Sequence, residues 1–348
     1  MNDKLRQVVG LVTLKEIAAE AGVSVMTVSN VIHHNMTRVS PETAERVRAI
    51  IDKYHYVPNM AARSLISKAS RIVALLLPLW HATADSLLLD PYVGQMVGML
   101  ETLLREKNYY VMICSFETVE QVLSIQRTWQ IDGSVLIMPH KDSITRELVK
   151  RSVSPLVVID RWFDDLPMNS VTVDDRKGGY LSARHLLEKG HRAIGFVGPT
   201  IKTSSVIHDR YLGYEDALRE FGLTPNPKWV FNKRFHQEGG EQTGQEIAAM
   251  RRRPTAVIAT EDMIACGVIR ACTEKGMSVP QELSVIGFDD SLPSRLISPA
   301  LTTIAQDVRG KAAGVVEILM ELIKDPELTG RHIQMDVSLV ERKSVASV

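Results

Sequence analysis

The sequence predicts an α/β chain of two unlike parts, and three observations carry that prediction. Residues 13–53 read as three short amphipathic helices, each with its own start signal. From Arg71 onward, apolar runs alternate with helical stretches in the βαβα rhythm of parallel sheets covered on both faces. Eight or more such strands, with a break near Val173, exceed one common unit, so two sheets in two lobes are expected. A chain of 348 residues is also longer than a single hydrophobic core usually serves.

In "TLKEIAAEAGVSVMTVSNVI" (13–32), Thr13 and Glu16 have capping-box spacing, in which each side chain satisfies a free backbone N–H at a helix start. Leu14, Ile17, Ala18 and Ala21 then form one apolar face, and Gly22 stops the helix where a left-handed residue costs least. Ser24 caps a second helix whose Val28, Val31 and Ile32 face inward, leaving Met26, Thr27, Ser29 and Asn30 outward. "SPET" starts a third, with Ser40 as cap, Pro41 at the first helical position, and Val47, Ile50 and Ile51 inside. Two helices joined by a tight glycine turn make a helix-turn-helix, whose second helix is of a size that enters a DNA major groove. On pattern alone a generic three-helix bundle reads equally well.

Composition narrows the classes. Basic and acidic residues balance at 41 each, which argues against a protein that is basic throughout. Residues 1–70 nevertheless hold nine Lys/Arg against six Asp/Glu, leaving +3. Cys114, Cys266 and Cys272 form no CxxC pair, so neither a disulfide framework nor a zinc site is expected. No signal pattern and no membrane-length apolar stretch is seen, and a cytoplasmic setting is expected.

After the third helix comes "YHYVPNMAARSLISKAS", in which Pro58 breaks the preceding helix and Asn59 can cap a new one. Met60 to Leu65 is too short to be a stable helix alone and would order only when held by a partner. Together, "TLKEIAAEAGVSVMTVSNVI", "VSPETAERV" and "YVPNMAARSL" closely resemble the headpiece of the LacI/GalR family of bacterial transcription regulators. The resemblance implies double-stranded operator DNA as partner. It places Val25, Met26 and Asn30 at base edges, and Thr27 and Ser29, with the helix start at Ser24, at phosphates. Thr13, Asn59 and Arg63 join the DNA-binding set. Leu65 matches the residue that wedges into the minor groove at the operator centre, and Ala62 the small residue packed there. Many relatives carry arginine at position 30 to read guanine. Asparagine pairs best with adenine, so the half-site is expected to differ there.

The remainder also resembles the family, whose core is similar to periplasmic sugar-binding proteins, through "VVIDR", "GHRAIGFVG", "RYLGY", "PTAVIATEDMIACGVI", "VPQELSVIGFDD" and "PALTTI". The implied organisation is a headpiece at 1–57, a hinge helix and linker at 58–70, and an effector-binding and dimerisation core at 71–348. The core's N-lobe is expected at 71–173 plus 302–331, and its C-lobe at 174–301 plus 332–348. Ligands in such sheets bind beyond the carboxyl ends of strands, where Asp160, Arg161, Asp174, Glu261 and Asp289 fall. By position, Arg210 and Asp289 match the effector-contacting Arg and Asp of the family. Phe235 matches an aromatic that stacks on ligand in some members, and Tyr92 falls at the cleft mouth.

Two departures bear on the ligand. Glu261 stands where relatives commonly have Asn, and "LWHATADSLLL" inserts residues before the "DPY" that matches the family's "NPF". A carboxylate at 261 disfavours anions and accepts from hydroxyls or an amine, which points to a neutral sugar, polyol or nucleoside. Arg161 and Arg210 leave an acidic ligand open, and induction and corepression are both open.

No enzyme, cofactor or metal is implied. His33 and His34 lack metal spacing, "GFVG" and "RKGGY" lack phosphate-loop spacing, and no GxSxG occurs. A homodimer without tetramerisation is expected, because "KSVASV" ends the chain without a leucine heptad. The alternatives are a regulator of this fold that answers mainly to a phosphorylated carrier protein, and a solute-binding receptor.

Overall fold

A computed structural model describes residues 12–32, 35–56, 69–79, 87–139, 142–199, 205–233 and 236–348. The chain divides into two compact units, 1–68 and 69–348.

In the first unit, α1 (Leu14–Ala21), α2 (Val25–Ile32) and α3 (Pro41–Lys53) enclose a core of Ile17, Ala18, Ala21, Val28, Val31, Ala44, Val47 and Ile50. The capping box forms, with the Thr13 N–H donating to Glu16 Oε2 at 2.7 Å and the Glu16 N–H to Thr13 Oγ1 at 3.3 Å. Gly22 adopts φ +65°, the left-handed C-cap that its missing Cβ makes cheap. Arg46 Nε, on α3, donates to the Ala21 carbonyl at 3.1 Å, satisfying one orphan acceptor at the end of α1. Ser24 and Ser40 cap α2 and α3 as expected, at 3.1 Å and 3.3 Å.

The second unit is the two-sheet α/β core. Its first half runs β1 (Ile72–Pro78), α4 (Pro91–Glu106), β2 (Tyr110–Phe116), α5 (Val119–Thr128), β3 (Gly133–Leu136), α6 (Asp142–Arg151), β4 (Leu156–Ile159) and β5 (Asn169–Val173). The next stretch runs α7 (Asp175–Glu188), β6 (Ile194–Gly198), α8 (Ser205–Glu220), β7 (Val230–Asn232), α9 (His236–Ala249), β8 (Ala256–Ala259), α10 (Asp262–Glu274) and β9 (Ser284–Asp289). The chain closes with α11 (Leu292–Leu296), β10 (Thr302–Gln306), α12 (Val308–Lys324), β11 (His332–Met335) and β12 (Val337–Val340). The sheet orders are β11-β5-β4-β3-β1-β2 and β12-β10-β9-β8-β6-β7, parallel except for the β10–β12 pair.

The chain therefore passes between lobes after Val173, after Gln306 and after Met335. An aspartate stands at each crossing: Asp174 caps α7, Asp307 caps α12, and Asp336 binds Lys177 Nζ at 2.5 Å. The last two crossings differ from the expected boundaries. Strand 302–306 pairs with β9 in the second sheet, and 332–335 pairs with β5 in the first. An apolar run reveals a strand, but which neighbour it hydrogen-bonds is settled by non-local packing. Helix α12 then covers the first sheet with Val308, Val315, Leu319 and Leu322.

Two glycines explain why α7 and α8 lie so close. A Cβ at Gly179 would sit 1.9 Å from the Arg210 carbonyl oxygen, and one at Gly213 1.9 Å from the Arg176 carbonyl oxygen. The "RKGGY" and "RYLGY" stretches thus serve helix contact, and that contact fixes where Arg210 points. Cys114, Cys266 and Cys272 are free thiols. Among the described residues, no helix is long and apolar enough to cross a membrane.

Candidate operator-reading face and inter-lobe cleft

On α2 the inward residues Val28 and Val31 are buried, while Val25 is 40% and Met26 69% exposed. Thr27, Ser29 and Asn30 are partly exposed beside them. The Ser24 and Thr27 hydroxyls lie 2.9 Å apart at the helix start. The exposed face therefore pairs apolar contact with hydroxyl groups at the helix N-terminus and with the Asn30 amide further along the helix, a combination suited to base edges and phosphates. Thr13 is spent on the α1 capping box. Asn59, Ala62, Arg63 and Leu65, with the whole expected hinge helix, lie outside the described residues, as do His33 and His34.

In the core, one cleft is lined by Asp160, Glu261 and Asp289 at the carboxyl ends of strands from both sheets, and by Asp90 at the start of α4, Tyr92 on α4 and Arg210 on α8. Tyr92 Oη donates to Asp160 Oδ2 at 2.6 Å. Lys311, on α12, is fully buried and reaches Asp160 Oδ1 at 2.7 Å, Tyr92 Oη at 3.0 Å and Gln306 Oε1 at 2.5 Å. Gln306 in turn donates to Asp289 Oδ1 at 2.6 Å. This chain of contacts runs from the first lobe, through the β10–α12 crossing, to the second. Burial pushes the Tyr92 phenol well above its usual range, with Asp160 adding to it, and burial likewise lifts the Asp289 carboxyl.

Arg210 lies under the second lobe's side of the cleft. Its Nε donates to Asp175 Oδ1 at 2.8 Å, another guanidinium N–H meets the Thr260 carbonyl, and the plane stacks 3.4 Å from the Phe288 ring centroid. Burial raises the Asp175 carboxyl to about 6 despite the opposing pull of Arg210. Glu261 starts α10 without capping it and instead accepts the His236 backbone N–H at 2.5 Å. Burial, then the nearby Asp90 carboxylate, raise Glu261 to about 7.

Of the expected cleft residues, Tyr92, Asp160, Arg210, Glu261 and Asp289 come together. Two do not. Asp174 caps α7 through the Lys177 N–H at 2.9 Å, and its neighbour Asp175 faces Arg210 instead. Arg161 turns away to Asp142 and lies 4.7 Å from the Phe163 ring centroid. Phe235 lies outside the described residues. Lys311, Gln306, Asp175 and Asp90 were missed. Lys311 left a signal, as a cation on the apolar stripe of "VRGKAAGVV", and Asp90 another, as the first residue of "DPY".

A helix-turn-helix with an exposed polar face, ahead of a two-lobed core with a polar cleft, defines a DNA-binding transcription regulator. The chain belongs to the lacI family of bacterial regulatory proteins. That family's model matches residues 13–59, and the periplasmic binding protein-like domain matches 183–345. The chain is 33% identical over 343 residues to the ribose operon repressor of Haemophilus influenzae, covering 97% of this chain and 100% of the relative. It is 34% identical over 344 residues to the transcriptional repressor PurR of Pectobacterium carotovorum subsp. carotovorum, covering 97% of each. Among solved structures it resembles the lac repressor dimer bound to operator and the anti-inducer ONPF, with TM-score 0.84, 27% identity, and 96% and 99% of the two chains covered. A LacI family regulator from Enterococcus faecium with bound ribose aligns with TM-score 0.69 and 26% identity over 80% of this chain and 99% of that one.

Proposed function

We propose that the protein is an operator-binding repressor of a catabolic or transport operon, working as a homodimer and controlled by a neutral, hydroxyl-rich effector between its lobes. The headpiece is assigned to residues 1–57, the hinge and linker to 58–70 and the effector-binding core to 71–348. Val25, Met26 and Asn30 read base edges, Ser24, Thr27 and Ser29 hold phosphates, and Asn59, Ala62, Arg63 and Leu65 act in the hinge. The observation that carries the DNA reading is the exposure of Val25 and Met26 on a helix whose opposite face is fully used in the core. Large apolar side chains held in solvent on a helix-turn-helix need a surface to meet, and a thymine methyl is one.

For the effector, among the described residues the acidic groups Asp90, Asp160, Asp175, Glu261 and Asp289 outnumber the cations Arg210 and Lys311 around the cleft. Both cations are already paired. That balance supports a sugar, polyol or nucleoside, whose hydroxyls donate to carboxylates, and disfavours an anion. The ribose-bound neighbour and the ribose operon repressor relative are in keeping with this class. Closure of the lobes around such a ligand would change the spacing of the two headpieces and hence operator affinity.

Selection from duplexes with randomised half-sites tests the DNA reading. A palindromic preference with adenine opposite Asn30 is expected, and a strong guanine requirement there would refute the Asn30 assignment. Gel shifts on the selected operator with ribose, other pentoses and nucleosides then test the effector class. A response to sugar phosphates alone would overturn it.

A further inference from the structure

Three cleft residues distant in sequence converge on one point. Asp90 precedes α4 in the first lobe, and His236 and Glu261 stand at the starts of α9 and α10 in the second. His236 Nδ1 lies 3.5 Å from Asp90 Oδ2 and 3.8 Å from Glu261 Oε1, and donor atoms of the three all fall within 4.8 Å of one another. Two ligands each about 2.1 Å from a tetrahedral ion stand about 3.4 Å apart, so the two distances from the imidazole need little adjustment to close on a metal.

We propose that Asp90, His236 and Glu261 form a divalent transition-metal site that ties the two lobes together at the cleft. The two carboxylates beside the imidazole are each anchored by a backbone N–H. Asp90 uses Oδ1 to accept the Val93 N–H at 2.9 Å, and it is Oδ2 that faces His236. Glu261 is fixed by the His236 backbone N–H, so the carboxylate and the imidazole are positioned by one residue. Both carboxylates are buried, at 7% and 8% exposure, whereas the imidazole is half exposed, which leaves the ion a route of entry.

Two carboxylate oxygens and one imidazole nitrogen suit zinc, manganese or cobalt, and the soft thiolate chemistry that would favour copper(I) is absent from the trio. Three protein ligands leave positions open toward the cleft, as sites that bind an exchangeable molecule do. Vicinal hydroxyls of an effector could occupy them. The helix starts that carry these residues oppose a cation, so the two negative charges of Asp90 and Glu261 are both needed. Among the described residues no other His, Cys, Asp and Glu cluster has this spacing.

The test uses full-length, tag-free, chelator-treated protein titrated with Co²⁺, followed by visible absorption, and with Zn²⁺ and Mn²⁺ by calorimetry. One ion per chain is expected, with cobalt absorption bands that H236Q alters. D90N, H236Q and E261Q should each weaken binding roughly tenfold or more while leaving metal-free melting near that of the parent. Should E261Q fail to fold, D90N, which keeps an oxygen to cap α4, carries the same reading. Absence of saturable binding, or binding that all three variants retain, would overturn the proposal. So would stabilisation by organic amines with none by metal, since the acidic pair would then serve a cationic ligand. No effector or operator is present in these titrations, so failure here is separate from failure of the repressor reading.

Discussion

Replacing Lys311 by methionine removes the buried ammonium at the β10–α12 crossing between lobes. In the parent, Lys311 is wholly buried and its ammonium has three partners, while Asp160 is 14% exposed. Without it the Asp160 carboxylate keeps, among the described residues, the Tyr92 hydroxyl at 2.6 Å, and Gln306 Oε1 loses the Lys311 ammonium. Breaking a buried pair on one side costs about 3–5 kcal/mol because a charge is left uncompensated. For a unit of this size each kcal/mol lowers the melting midpoint by roughly 2–4 °C, so K311M should melt at least about 6 °C below the parent. D160N alone strands the ammonium and should cost a similar amount. Its backbone is not the cause, since Asp160 has φ +62° and asparagine tolerates that region well. Lys311→Met with Asp160→Asn together leaves neither charge of this pair, and should recover most of the loss. Urea and thermal unfolding of the four proteins give the coupling, expected at about 3 kcal/mol or more. A double variant whose loss equals the sum of the single losses would refute the argument.

Three further outcomes follow from named contacts. Asn30→Ala should weaken operator binding by roughly 1–3 kcal/mol in fluorescence anisotropy, with headpiece melting unchanged because Asn30 lies outside the packed core; equal loss on random duplex would assign it to phosphate instead. Gly179→Ala should destabilise the core by about 1–3 kcal/mol in urea, because its Cβ would meet Arg210 backbone, which cannot turn aside as a side chain can. His191, bonded to Thr255 Oγ1 at 2.9 Å and the Ala346 carbonyl at 3.1 Å, is held below its usual pKa by burial. Near pH 6.5 and just below, the unfolded chain therefore takes up more protons at this site than the folded one, so its contribution to stability is present above about 6.5 and lost on acidification. Because Asp175, lifted by burial, acts in the opposite sense, the readout is the difference between parent and H191Q melting from pH 7.5 to 5. A difference that does not change with pH would exclude the histidine.

The headpiece was legible because its instructions are local. Thr13 with Glu16, Gly22, Ser24 and Ser40-Pro41 each act within one helical turn, and the apolar spacing of α1 to α3 needs no distant partner to be read. Most core strands were equally plain, as short β-branched runs between helices. What could not be read was pairing: β10 follows α11 and a proline-bounded turn, and nothing in "LTTIAQ" distinguishes a strand hydrogen-bonded to β9 from one beginning the other lobe.

The cleft divides along the same line. Asp160, Glu261 and Asp289 end strands, so the rule that ligands meet the carboxyl ends of a parallel sheet found them. Asp174 satisfied the same rule and failed, since a single-residue shift at the start of α7 turns Asp174 to the backbone and Asp175 to Arg210. Lys311 shows the limit most clearly. A lysine on an apolar helix face has to find a counter-charge or lose its proton, so the sequence demands a partner without saying which. Asp160 is that partner because the chain crosses from β10 back to the first lobe, and the same crossings bring Asp90 within reach of His236 and Glu261. Chemistry at this cleft is therefore a property of the crossings between lobes more than of any one segment.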